Sequence, residues 1–325
     1  MKKWNLEPMA QTEYQHDNNN KAGLYKGKLV LRPSSIDSYI RCPYSFYQTQ
    51  ILRKGSAPNG ASQVGTALHK VMEVALGAQL DTGLRMSVDD MQRAGVREWR
   101  DLNAKADIVY HGDQDYASMA DDLYAGVLGL NEALDCIVAV GSESRHSVSI
   151  TDHPLFGAMS GSLDVEIDKG VMDLKFTGKK KSKPDDYIIQ QSAYAMLREY
   201  NGHVTDDLQI LNIVRPTKAR KAKAVKNGEE QLVADWHIME MKPNVAYVEH
   251  WMNIILNKSE LYAKEQARVA DVENGEAILD EYAELLFQGT SPSNSFLCNS
   301  TWCSVWSTCP HVADLQEEFD EVELF

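Results

Sequence analysis

Asp164, Asp173 and Lys175 fall close together in the run G-S-L-D-V-E-I-D-K-G-V-M-D-L-K-F, residues 161–176. Val165, Ile167, Val171, Met172, Leu174 and Phe176 make two short apolar segments about Lys169-Gly170, which predicts a β-hairpin. Asp164 then lies on the first strand. Asp173 and Lys175 lie on the second, two residues apart, so their side chains leave the same face. Converging carboxylates need a counter-ion, and a hard divalent cation such as Mg2+ or Mn2+ suits oxygen donors. With one or two such ions and an ammonium group beside them, the available chemistry is attack of water on phosphorus. An Asp and a Lys on adjacent strands are by themselves an ordinary solvated pair. The rest of the chain supplies their company.

At 325 residues the chain can form one large domain or two. It has no apolar run of about 18 residues, so no membrane span is expected. Met1-Lys2-Lys3-Trp4-Asn5 lacks the apolar stretch of a signal peptide. A cytoplasmic protein is expected, in the host cytoplasm if the chain is viral. Five cysteines, an odd number, fit reduced thiols better than a disulfide framework. A net charge of -14 argues against a protein coated in nucleic acid but allows a local basic channel.

Residues 1–28 are polar and read as a flexible N-terminal arm. Order is expected from Leu29. Ser34 or Ser35 can cap a helix running through Ile36, Tyr39, Ile40, Phe46, Tyr47 and Ile51, bent at Pro43. A linker spans residues 55–60, and a further helix opens at Gly65 with His69 beside its apolar stripe. A histidine there is ordinarily a hydrogen-bonded core residue, but neutral imidazole is also a metal ligand. Residues of about 80–140 read as a helical insertion, with amphipathic candidates from Met86 to Leu102 and from Tyr116 to Val138; Cys136 is expected in its core. Strands are expected near Ser147–Ile150, Leu155–Gly157, Leu208–Val214 and Val233–Met241. A helix opening at Pro184 places Gln190 and Tyr194 on one face. Two helices follow, near Val245–Val272 and Glu276–Phe287.

Two basic segments interrupt the acidic chain: Lys179, Lys180, Lys181 and Lys183, then Lys218, Arg220 and Lys221 within a stretch ending at Asn227-Gly228. The first directly follows the strand of Asp173 and Lys175, where lysines would bind flanking phosphates of DNA. Near the end, Cys298, Cys303 and Cys309 fall within a dozen residues. Such clustering in a reduced compartment points to metal, with Cys42 as the fourth thiolate. Four thiolates suit an iron-sulfur cluster or zinc.

In order, S-S-I-D-S-Y-I-R-C-P-Y-S-F-Y, G-T-A-L-H, G-S-L-D, D-L-K, Q-Q-S-A-Y and the terminal cysteines resemble the PD-(D/E)xK nuclease superfamily. The likeness is nearest to its RecB-type and AddB-type exonucleases with an iron-sulfur cluster, which are similar to CRISPR-adaptation exonucleases. It implies an α/β, restriction-endonuclease-like core over residues 29–310: a central mixed β-sheet flanked by helices. It implies metal ligation by His69, Asp164, Asp173 and the Leu174 carbonyl, with Lys175 positioning the attacking water. Gln190 and Tyr194 would orient the site or touch DNA. Cys42, Cys298, Cys303 and Cys309 would hold a [4Fe-4S] cluster, with Zn2+ as the alternative, stapling the first helix to residues 298–309. The step from Cys298 to Cys303 is longer than the family's usual C-x-x-C.

The activity implied is a metal-dependent DNA exonuclease, acting on single strands or ends, in repair, recombination or phage DNA metabolism. Two other readings stand beside it: a DNA-binding scaffold in a helicase-nuclease or CRISPR-adaptation complex, and a zinc-stapled endonuclease. No G-x-x-x-x-G-K-[ST] loop is present, so unwinding would fall to a helicase partner. Residues 311–325 read as an acidic tail, whose terminal Glu321-Val322-Glu323-Leu324-Phe325 faintly resembles sliding-clamp-binding peptides.

Overall fold

Most of the helices begin where the chain offers a capping side chain. The computed structural model describes residues 3–9, 24–55, 57–181, 184–228 and 231–288, with Cys303, Val305 and Cys309 beyond them. In chain order these form β1 (Leu6–Pro8), β2 (Leu24–Tyr25), β3 (Lys28–Leu31), α1 (Pro33–Arg41), α2 (Pro43–Phe46), α3 (Gly60–Thr82), α4 (Val88–Lys105), α5 (Tyr116–Ala133), β4 (Ala139–Ile150), β5 (Phe156–Ile167), β6 (Gly170–Thr177), α6 (Ile188–Tyr200), β7 (Asp207–Val214), α7 (Lys218–Asn227), β8 (Asp235–Met241), α8 (Val245–Val269) and α9 (Gly275–Leu286). Asn59 caps α3 by accepting the Ser62 N–H at 2.8 Å. Asp115 and Ser118 form a reciprocal capping box on α5.

Several expectations change. Residues 1–28 are not uniformly a flexible arm. Leu6–Pro8 pairs antiparallel with Val148–Ile150, and Trp4 and Leu6 are buried; residues 10–23 lie outside the described residues. The first helix starts at Pro33 with no side-chain cap, and it ends at Cys42 rather than bending there. Cys42 is extended, with φ -158°, because proline's ring pushes the preceding residue out of the helical region. Pro43 then opens α2. The stretch after β7, read only as a basic segment ending in a turn at Asn227-Gly228, is helix α7, capped by Thr217 and closed by Gly228. Its Lys, Arg and Ala are strong helix formers, but it has no apolar stripe to announce it. Cys136, expected in the core, is exposed, because the chain leaves α5 for a short 3-10 turn at Leu134.

The chain divides into two compact units, residues 1–56, 147–161 and 244–325, and residues 57–146 and 162–243. Strands β4 and β5 each run through both. In the first unit β1 pairs with the end of β4, and β3 pairs in parallel with the start of β5 and antiparallel with β2. Its helices enclose an aromatic cluster, in which Tyr47 stacks on Phe287 with ring centroids 5.2 Å apart.

The second unit holds the candidate chemistry. Its strand order is β4-β5-β6-β7-β8, with β5–β6 and β7–β8 antiparallel and β6–β7 parallel. This is a mixed α/β architecture with a central mixed sheet. Met172, Leu174 and Phe176 of β6, Leu211 and Ile213 of β7, and Trp236 and Ile238 of β8 contribute to one core with α3, α4 and α5. The alternation of side chains across a strand sends Asp173, Lys175 and Asn212 to the opposite face. Two glycines allow close backbone contact. A Cβ on Gly170 would come within 2.6 Å of the Asp207 carbonyl, and one on Gly129 within 2.5 Å of the Ala234 carbonyl. The first sets the hairpin turn against β7, and the second seats α5 on the segment before β8.

Candidate active site

The β5–β6 ladder runs from Ile167↔Gly170 back to Val165↔Met172. One step further, where the register would oppose Asp164 to Asp173, a side chain replaces the backbone. Asp164 Oδ2 accepts the Leu174 N–H at 2.8 Å. The N–H and C=O of one strand residue point the same way, so the Leu174 carbonyl turns to that side as well. Two carboxylates and a backbone oxygen are thereby gathered where the strands part.

His69 on α3 reaches this place, its Nδ1 3.1 Å from Asp164 Oδ2. Lys175 Nζ lies 2.6 Å from Asp173 Oδ2. Tyr187, just before α6, sets its ring centroid 5.7 Å from that ammonium, a cation–π distance. One turn apart on α6, Gln190 Nε2 donates to the Tyr194 hydroxyl at 3.2 Å. Asp173 is only 4% exposed.

Burial drives a carboxylate toward its neutral form. At Asp173 burial prevails over the pull of Lys175, helped by the nearby Asp164 charge, and the pKa is raised. At Asp164 burial loses to His69 and to the Leu174 N–H, and the pKa is lowered. Burial also opposes the charged forms of His69 and Lys175. The carboxylates outweigh it, Asp164 at His69 and Asp173 at Lys175, and both pKa values are raised. The two acids therefore split, as close carboxylates do: one holds its charge and the other gives ground. Burial, then the charges of Asp173 and Asp164, raise the Tyr194 phenol, which stays a neutral hydroxyl.

A model of the PD-(D/E)XK nuclease superfamily matches residues 31–310. The chain belongs to this superfamily. No curated protein matches it. A solved structure titled "Crystal structure of SSO0001" aligns with 76% of this chain and 96% of that one, at a TM-score of 0.34 and 14% identity, which is too distant to carry an argument.

PD-(D/E)XK nucleases generally use Mg2+ or Mn2+. Among the described residues no three His, Cys, Asp or Glu side chains are grouped so as to hold an ion. Lys175 lies at Asp173 and the His69 ring at Asp164 instead. In kind, the donors fit a hard cation: two carboxylates and a backbone oxygen are gathered at one place, with Lys175 Nζ now at Asp173 Oδ2. Asp164, Asp173 and the Leu174 carbonyl would hold the ion, with His69 as a further donor.

The lysine loop of this PD-(D/E)XK chain is tied to β6 by Asn212, which is fully buried. Asn212 Nδ2 donates to Thr177 Oγ1 at 2.8 Å and to the Lys175 carbonyl at 3.3 Å. Asn212 Oδ1 accepts the Lys181 N–H at 3.4 Å. His237 Nε2 lies 2.8 Å from the Lys181 carbonyl. Lys181 itself pairs with Asp186. Lys179 and Lys180 are exposed and make no ion pair among the described residues; Lys183 lies outside them.

The second basic segment is placed differently. Lys218 pairs with Asp113, Arg220 with Asp235 and Lys221 with Asp122, at 2.6, 2.7 and 2.6 Å. These cations are engaged by acids within the unit and are not gathered at Asp173. Of the proposed thiolates, Cys42 Sγ accepts the Ser45 N–H at the start of α2, and Cys303 and Cys309 are half-buried. Cys298 and the acidic tail lie outside the described residues.

Four residues near the site went unnoticed in the sequence: Tyr187, Asn212, His237 and Glu143. Asn212 left a signal, because a polar residue inside the apolar strand L-Q-I-L-N-I-V must find hydrogen bonds when buried. Glu143 has φ 50° within β4. Desolvation, then the charges of Asp164 and Glu73, push its pKa up to about 7. The residue as a whole is exposed, so water screens part of this effect.

Proposed function

We propose that this chain is a Mg2+- or Mn2+-dependent deoxyribonuclease that digests DNA from single-stranded ends. The observation that carries the reading is the gathering of buried Asp173 with half-buried Asp164 and Lys175 where β5 and β6 part. A divalent ion held there supplies Lewis-acid polarisation of the phosphodiester. The chain's own groups do the rest. Lys175, fixed between Asp173 and the Tyr187 ring, holds the attacking water with its N–H donors. His69 and the Leu174 N–H keep Asp164 ionised and in place. Tyr194, with Gln190 donating to it, orients the phosphate. Lys179 and Lys180 bind flanking phosphates.

The test is a time course on end-labelled linear and closed circular DNA, single- and double-stranded, with Mg2+ or Mn2+. Linear single strands should shorten, circles should survive, and a chelator should stop the reaction. Circles cut as fast as linear DNA would remove the end dependence. No cleavage with either ion would remove the nuclease reading.

The same reading keeps Cys42, Cys298, Cys303 and Cys309 as ligands of a [4Fe-4S] cluster. In its support, Cys42 and Cys309 belong to one unit, and Cys309 is close enough to Tyr44, two residues from Cys42, to act electrostatically on its phenol. Protein purified without oxygen should carry iron and sulfide with visible absorbance, and Cys303→Ala should lose both and melt earlier. Zinc in place of iron identifies the zinc staple, and metal-free protein with unchanged melting in Cys303→Ala excludes either.

A further inference from the structure

The Asn212 and His237 clamp brings the lysine loop to a second place in the same unit. At the end of β7 a cavity of about 470 Å3 is lined by Glu132, Lys180, Val214, Arg220, Asp235 and Trp236. Its size falls within the range of small-ligand pockets. Trp236 is half-buried and packs on the helix-side core. Its Nε1 donates to Glu132 Oε2 at 3.3 Å, which fixes the indole and leaves the other Glu132 oxygen for a further donor. Arg220 is held by Asp235. Lys180 is exposed and has no ion-pair partner among the described residues.

The cavity lies close to the catalytic strand. Thr177, two residues beyond Lys175, is paired with Val214, and Val214 with Asp235. Strand rise and spacing put this end of the sheet on the order of 10 Å from Lys175. Trp236 and Glu132 lie on the helix-side face and Lys175 on the other, so a DNA strand leaving the catalytic residues reaches the cavity by passing around this end of the sheet along Lys179 and Lys180.

We infer that the cavity is a nucleobase subsite, an extension that rests on the nuclease reading. The base lies against Trp236, as bases do on aromatic platforms. Its phosphate meets Lys180. The free Glu132 oxygen accepts from an exocyclic amino group, the pairing that carboxylates make with cytosine N4. Thymine has no such amino group, so the subsite favours cytosine over thymine at this position.

The experiment measures binding of short oligo-dC and oligo-dT to the full chain carrying Asp173→Ala, which leaves DNA uncut, at fixed salt. Oligo-dC should bind about fivefold or more tightly than oligo-dT and quench tryptophan emission. Trp236→Phe keeps an aromatic platform and should lose most of the quench while binding comparably. Trp236→Ala should weaken binding about tenfold. Glu132→Gln should bring the dC to dT ratio toward one. An unchanged quench in Trp236→Phe, or an unchanged ratio in Glu132→Gln, overturns the subsite. If the native chain still cuts DNA, the nuclease reading survives that result; a native chain that neither binds nor cuts DNA sinks both.

Discussion

Lys175→Met should lower kcat on linear single-stranded DNA by about 10²- to 10⁴-fold, the usual range for a lost proton-handling or water-holding group. Methionine keeps an unbranched stem where Lys175 is only 22% exposed. The change therefore removes the ammonium and little packing. Asp173 then loses the cation 2.6 Å away. Its pKa is already raised by burial, so it takes up a proton instead of remaining an unpaired buried charge, and the fold should survive. DNA affinity should change little, because Lys179 and Lys180 are untouched. A purely structural lysine would behave otherwise. Its loss would lower the melting temperature and leave the rate of the folded protein nearly intact, whereas here the rate falls even where the protein stays folded. A Lys175→Met protein cutting within tenfold of the native rate ends the assignment.

Asn212→Leu should separate binding from chemistry. Leucine fits the volume and apolar setting of β7 but cannot bridge to the loop. The Lys181 N–H, Thr177 hydroxyl and Lys175 carbonyl would each lose a partner. Buried groups left unpaired cost about 1–3 kcal/mol, so a lower melting temperature is expected. The more informative readout is the dependence of DNA affinity on salt. Each phosphate contact on a single strand contributes about 0.7 to the log–log slope. Releasing the loop should flatten that slope by about one such contact and raise KM more than it lowers kcat. Asn212→Asp keeps the Lys181 contact alone and should fall between. A slope unchanged in Asn212→Leu would show that the clamp does not order the lysines.

The hairpin was legible because its two signals agree. Apolar residues alternate on both sides of Lys169-Gly170, and Asp173 and Lys175 share one parity. The family motifs added His69, Gln190 and Tyr194, and the fold brings Asp164 and His69 into contact. Gln190 and Tyr194 likewise bond to each other, as their one-turn spacing implied. Tyr187 and His237 were not read, since each acts across a separation no local pattern encodes, and at Asn212 the local pattern shows the need for partners but not which they are. His237 meets Lys181 from a strand more than fifty residues away. The second basic segment misled for a related reason. Spacing shows where cations cluster along the chain and says nothing of Asp113, Asp122 and Asp235, which neutralise them from other elements.

By itself the amino-acid order determined the local propensities: the caps of α3 and α5, the break before Pro43, the hairpin and the parity of its acidic residues. These follow from neighbours within a few positions, where backbone sterics and side-chain reach decide. Only the tertiary structure decided that the β5–β6 ladder stops one step short of Asp164. That lets its carboxylate take the Leu174 N–H and turns a backbone oxygen toward the same gap. It also decided which lysines remain open to a ligand, because charge is neutralised by whatever folds beside it, and that neighbour need not be near in the chain.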